Sequence, residues 1–154
     1  MLIEQATVDD AEEILHLQKL AYQSEAEIYG DYSIPPLIQS IEEMKAEFEG
    51  QVFLKASTDD AKIIGSVRAS LRQGTCFIGR LIVCPDFQGR GIGTSLMREI
   101  ERRFEQARRF ELFTGHLSER NIRLYQRLGY QVFRQERVTG SLDLVYMEKA
   151  DETD

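Results

Sequence analysis

Long apolar runs are missing from this chain. Nothing in its 154 residues approaches 18 consecutive apolar positions, so no transmembrane helix is expected. The first fifteen residues, MLIEQATVDDAEEIL, are acidic and amphipathic and lack the basic start and apolar block of a signal peptide. A soluble, cytoplasmic protein is the expectation. Cysteine is scarce: Cys76 and Cys84 stand without a CxxC and without a histidine at ligand spacing. Ordinary free thiols are expected, with no metal site and no redox pair. Three prolines, Pro35, Pro36 and Pro85, fall at element boundaries, and no repeat, low-complexity tract or linker divides the chain. One domain over residues 1–150 follows, with a short acidic tail at 151–154. Excess positive charge is absent too. A net charge of −7 argues against nucleic acid, whose binding draws on Lys and Arg at phosphates, and suits a cationic partner better.

Periodicity is what the chain does have. LIEQAT reads as a strand, and Thr7 with Asp10 resembles a capping box opening a helix that carries Ile14, Leu17 and Ala21 on one face and fades near Gly30. In PPLIQSIEEMKAEFEG, Leu37, Ile41, Met44 and Phe48 recur at helical spacing, predicting one amphipathic helix between the prolines and Gly50. From Gln51 to Val83 the period drops to two, predicting three strands; Ile92, Leu96, Ile100 and Phe104 then restore the helical period. FELFTG, ERNIRLYQRLG and a hairpin from YQVFRQER to LDLVYMEK predict a strand, a helix and two strands. The order is that of an α/β protein with a mixed sheet, since strand–helix–strand units impose parallel pairs and hairpins antiparallel ones.

The stretch VCPDFQGRGIGTSLM sets Gly89, Gly91 and Gly93 directly ahead of a helix. A strand ending at Val83, a turn and a helix start aim unpaired N–H groups outward, backed by about half a unit of positive dipole charge. Glycines remove the side chains that would hold a bulky anion away, and Thr94 adds a hydroxyl donor. A phosphate or pyrophosphate is the expected guest. A tight turn alone is the bland alternative, weakened by the coincidence with a helix start. The P-loop is excluded because no glycine here precedes a lysine, and the dinucleotide fingerprint because Thr94 stands where its third glycine belongs.

What remains, QGRGIG from Gln88 to Gly93, resembles the Q/R-x-x-G-x-G/A signature of the GNAT superfamily of N-acetyltransferases, and SERNIRLYQRLGYQVF resembles that family's later Leu-Tyr and Leu-Gly-Phe/Tyr motif. The resemblance covers nearly the whole chain. It implies a single-domain fold with a mixed, mostly antiparallel twisted sheet of six to seven strands flanked by about four helices, acetyl-CoA as co-substrate and an amine of a small molecule or peptide as acceptor. By resemblance, Gln88, Gly89, Arg90, Gly91, Ile92, Gly93 and Thr94 hold the pyrophosphate, and the main chain of Leu81, Ile82 and Val83 pairs with the pantetheine arm. It also implies a homodimer, while the composition above argues against a membrane or nucleic-acid partner.

Acetyl transfer to an amine needs a neutral amine, a stabilised oxyanion and a proton for the departing thiolate. Similar proteins carry a tyrosine near the thioester sulfur, which maps onto Tyr125 as general acid; a core role is its alternative. The family's cofactor-contacting asparagine falls on Ser118 here, with Asn121 one turn later, and either could supply that contact. Ser118 is alternatively a helix cap. Deprotonating an alkylamine of pKa about 10.4 at pH 7 costs roughly 4.6 kcal/mol. The sequence leaves the base open among Glu25, Glu27, Asp31, His116 and water. Tyr22, Tyr29 and Tyr32 could wall an amine or simply pack. Arg102, Arg103, Arg108, Arg109, Arg120 and Arg123 could meet the 3′-phosphate of CoA or form solvated faces with Glu99, Glu101 and Glu105. Two further readings use the same residues: a CoA-binding regulatory module that has lost catalysis, and an interaction domain whose glycine turn binds nothing.

Overall fold

A computed structural model of the chain describes residues 1–150, so the acidic tail expected at 151–154 lies outside the described residues. Strand β1 (Leu2–Gln5) leads through a short 3-10 turn into helices α1 (Ala11–Ala21), α2 (Gln23–Tyr29), α3 (Pro35–Ile38) and α4 (Ile41–Glu47). Strands β2 (Val52–Ser57), β3 (Ile63–Arg72) and β4 (Thr75–Val83) follow, then α5 (Ile92–Arg103), β5 (Arg109–Gly115), α6 (Glu119–Arg127), β6 (Gln131–Arg137) and β7 (Asp143–Ala150). The seven strands form one sheet in the order β1-β2-β3-β4-β5-β7-β6, antiparallel throughout except for the parallel β4–β5 pair that the α5 crossover imposes.

The four expected helices all form, the first two as two segments each. The predicted helix up to Gly30 is jointed at Tyr22, so that α2 sets off in its own direction; Gly30 then ends it in the left-handed conformation. The single helix expected over 35–50 is corrected to α3 and α4. Gln39 and Ser40 are extended between them, because Ser40 caps α4: its Oγ accepts from the Glu43 N–H at 3.1 Å while Glu43 Oε1 accepts from the Ser40 N–H at 2.8 Å.

Both faces of β3 are covered. Along it, Gly65 points at Leu96 and Ile92 of α5, whereas Arg68, of opposite parity, reaches Gln18 of α1 at 3.0 Å, so the sheet is sandwiched between α5 and α1. Ser66 and Arg68 of this strand are therefore buried. Ser66 donates to the Leu54 carbonyl, and Arg68 sits among Gln18, Gln39, Glu47 and the Phe53 ring. Burial pushes the Arg68 guanidinium down to about 10, partly offset by Glu47, which leaves it a cation at neutral pH. Gln18 also donates to the Pro36 carbonyl and to Gln39, so this cluster ties α1, α3 and β3 together.

The sheet opens in its middle. Ser66 pairs with Ile82 and Arg68 with Gly79, leaving Arg80 and Leu81 opposite Val67 alone, with Arg80 at φ 51°. Such a bulge twists and bends its strand. β4 pairs with β5 only over Thr75–Phe77, and beyond Glu111 β5 continues with β7. From Ile78 to Val83 the β5-facing edge of β4 is left without a strand partner among the described residues.

Candidate active site

A cavity of about 500 Å³ lies at that open edge. One wall comprises Leu81, Ile82 and Val83 of β4, then Phe87, Gln88, Gly89 and Gly91 of the loop, and the first turn of α5 with Ile92, Gly93 and Thr94. Gly89 and Gly91 have φ of 79° and 80°, a conformation that costs an L-residue about 1–2 kcal/mol, and this is why the loop needs glycine there. The first α5 amide with an intrahelical acceptor is that of Ser95, to Gly91 O at 3.0 Å, so the amides ahead of it are free to face a ligand. Gln88 ties the loop to β4 and to α6, its Nε2 donating to Val83 O at 3.4 Å and its Oε1 accepting from Arg120 at 2.6 Å.

The opposite wall is made of side chains from the α1–α2 joint and α6, including Tyr22, Glu25, Ile28, Ser118 and Asn121. A relay holds it together. The Leu117 N–H donates to the Tyr29 hydroxyl at 2.9 Å, that hydroxyl lies 2.8 Å from Ser118 Oγ, and Ser118 Oγ donates to Glu25 Oε2 at 2.6 Å. Because the single Ser118 proton goes to the carboxylate, Tyr29 is the donor to Ser118. Asn121 Nδ2 donates to Glu25 Oε1 at 3.4 Å and to Thr114 Oγ1 at 3.5 Å. Tyr29 reaches this place only because residue 115 is glycine, since a Cβ there would fall inside the Tyr29 hydroxyl. Sequence reasoning missed both Gly115 and the bonding role of Tyr29, whose only signal was Gly115 ending a strand.

Tyr125 lies just behind this wall, 7% exposed, with its ring 6.0 Å from that of Tyr130. Burial raises its pKa well above the ordinary phenol value, reinforced by neighbouring Tyr22 and Glu25, so it holds its proton throughout the physiological range. Burial likewise raises Tyr22 and Tyr29, the former opposed by the nearby Arg80 guanidinium.

Of the residues singled out in the sequence, Leu81–Val83, Gln88, Gly89, Gly91–Thr94, Ser118 and Asn121 all line the cavity. Arg90 turns back over the Phe87 ring and the Asp86 carbonyl. Among the candidate bases only Glu25 lines the cavity: Glu27 is exposed, Asp31 is engaged by the Ser33 amide and hydroxyl, and the His116 ring accepts from the Asp143 N–H at 2.9 Å. The aromatic wall does not form as such, because Tyr22 lines the cavity, Tyr29 is buried in the relay and Tyr32 is 57% exposed. Arg102 and Arg103 pair with Glu99, Arg109 with Glu111 and Glu148, and Arg123 with Glu119. Arg108 packs at Gly74, and Arg120 stands on the cavity rim with Arg127, a residue the sequence did not single out. Cys76 and Cys84 are buried free thiols, and burial pushes Cys76 up to about 12.

No helix among the described residues is long and apolar enough to cross a membrane, and no group of three or more His, Cys, Asp or Glu among them is placed to hold a metal ion.

Comparison with known proteins follows the same lines. The solved structure of smu.2055 from Streptococcus mutans UA159 superposes with a TM-score of 0.84 at 18% identity, covering 97% of this chain and 99% of the other. The PaiA N-acetyltransferase from Thermoplasma acidophilum, in complex with coenzyme A, gives 0.78 at 21% identity over 98% and 100%. A phosphinothricin acetyltransferase from Sinorhizobium meliloti, in complex with AcCoA, gives 0.80 at 20% over 97% and 87%. At such identities the likeness is one of fold. In sequence, the UPF0157 protein YqkA of Bacillus subtilis (strain 168) is 31% identical over 121 residues, 79% of this chain and 34% of YqkA, so the chain spans about a third of that relative's length. The model of the Acetyltransferase (GNAT) family matches residues 11–130, and with most of its length so matched the chain belongs to that family.

Proposed function

We infer that the protein transfers an acetyl group from acetyl-CoA to a primary amine of a small molecule or peptide, by direct attack while both substrates are bound. The observation that carries this reading is one cavity with a glycine-rich wall at a helix start, suited to a phosphorylated carrier, and a facing wall that presents a carboxylate. The amides from Gly89 to Thr94 would meet the pyrophosphate, with the α5 dipole favouring its charge. The open edge of Leu81, Ile82 and Val83 offers a strand-like partner for the amide groups of the pantetheine arm. Tyr125, kept protonated by burial, would return a proton to the thiolate.

The set-back position of Tyr125 favours one second reading, a CoA-binding module without turnover. Titrating the protein with acetyl-CoA by calorimetry, then adding amines and following thiol release, separates the two. Micromolar binding with thiol release is expected; binding without release supports the module, and no binding removes both. We place the protein in the cytoplasm and expect a homodimer. Its contact would be β6, exposed along its whole length and bearing Arg134, Glu136 and Arg137, which an antiparallel second copy can meet with opposite charges. Sedimentation at two concentrations tests this.

A further inference from the structure

We propose that Glu25 is the catalytic base that takes the proton from the acceptor amine, an assignment that rests on the transferase reading above. Two carboxylates line the cavity, and only one suits the role: Glu119 is exposed and paired with Arg123 at 3.7 Å, whereas Glu25 is half-buried and fixed at both oxygens, by Ser118 at 2.6 Å and Asn121 at 3.4 Å. Those bonds come from α6, while Glu25 stands on α2, so the carboxylate spans the seam between the two elements that close the side-chain wall. The donors are neutral. Ser118 and Asn121 orient the group without pairing its charge, which leaves that charge for a cation in the cavity. The groups facing Glu25 are Tyr22 and Tyr29 on its own side and Tyr125 from α6, with Arg120 and Arg127 on the rim. A phenol is no competitor for a carboxylate as a proton acceptor at neutral pH.

An alkylammonium enters beside Glu25 and gives it one proton, since only about one such amine in 2,500 is neutral at pH 7. The freed nitrogen lone pair forms the C–N bond to the acetyl carbonyl carbon, and the C–S electron pair leaves on sulfur. The nitrogen releases a second proton, which replaces the one that Tyr125 gives to the thiolate. Glu25 passes its own proton to solvent, so each turnover releases one proton, one amide and one thiol.

The test compares the parent protein with Glu25→Gln and Glu25→Asp, using tyramine, spermidine and an alanine-terminated hexapeptide amide as acceptors, and methoxyamine as an acceptor already neutral at pH 7. Glu25→Gln should lose about 100-fold or more in kcat/KM with the alkylamines that the parent accepts and keep its acetyl-CoA affinity within about twofold. With methoxyamine the loss should shrink to about tenfold or less, and Glu25→Asp should recover part of the alkylamine rate. Equal losses with methoxyamine and the alkylamines would make Glu25 a structural residue and overturn the proposal. Absence of thiol release in the parent protein would instead overturn the transferase reading, and this proposal with it.

Discussion

The two walls of the cavity are built on opposite plans. One wall lies within the single stretch Leu81–Thr94, its shape set by two glycines at positive φ and by a strand edge unpaired among the described residues. The facing wall brings together side chains 93 positions apart, Glu25 and Ser118, held by hydrogen bonds of 2.6 to 3.5 Å. Main-chain geometry tolerates many side chains and fails only when the backbone itself is blocked. A side-chain relay fails with the loss of one hydroxyl, or the gain of one methyl at a distance. On the proposed reading, variation in acceptor would fall on one wall without disturbing the other.

Three substitutions test that separation. Tyr125→Phe should act on turnover alone, lowering kcat by about 10²–10⁴ at unchanged acetyl-CoA affinity, read by thiol release and calorimetry. A weakened affinity would instead put Tyr125 among the carrier-binding groups. Gly91→Val should act on the other wall, weakening acetyl-CoA binding about 100-fold, because a β-branched residue at φ 80° is strained and its side chain occupies the anion's approach. Gly115→Ala sharpens the contrast. The added Cβ expels the Tyr29 hydroxyl, so kcat should fall about tenfold while acetyl-CoA affinity stays level, the reverse of the Gly91→Val pattern.

The smallest effect is on stability. Tyr125 has a folded pKa raised above its unfolded value near 10, so the folded state binds the extra proton and the stability tied to it is complete below about pH 10. It is lost as pH climbs from there toward the folded pKa. Tm should therefore drop between pH 9 and 11 by a few degrees more in the parent than in Tyr125→Phe, as seen in thermal melts.

The difference between the walls also explains what could be read ahead of the structure. The glycine loop was legible because all of its parts, Gln88 to Thr94, are consecutive, and backbone demands leave glycine as their trace. The strands around β3 were legible through their period of two, but not that Ser66 and Arg68 lie buried, because polar alternation looks the same under a helix as under water. Ser40-Ile-Glu-Glu43 is a capping box in plain view, and the continuous apolar spacing from Leu37 to Phe48 masked it. The relay had no local trace. Tyr29, Gly115 and Ser118 meet only after the sheet has formed, and no spacing encodes a contact of that kind.

One feature of the sheet has a bearing on cooperativity. Within the sheet, four strands on one side and three on the other pair over only three residues each, Thr75–Phe77 with Arg109–Glu111. Native-state hydrogen exchange is expected to show such a seam as two units opening with different free energies, β1–β4 with α5 the slow one and the β5–β7–β6 ribbon the fast one. A carrier lodged against Leu81–Val83 on one unit and α6 on the other would bridge the seam. Saturation with acetyl-CoA should then slow exchange of the ribbon more than that of β1–β4, drawing two opening events toward one.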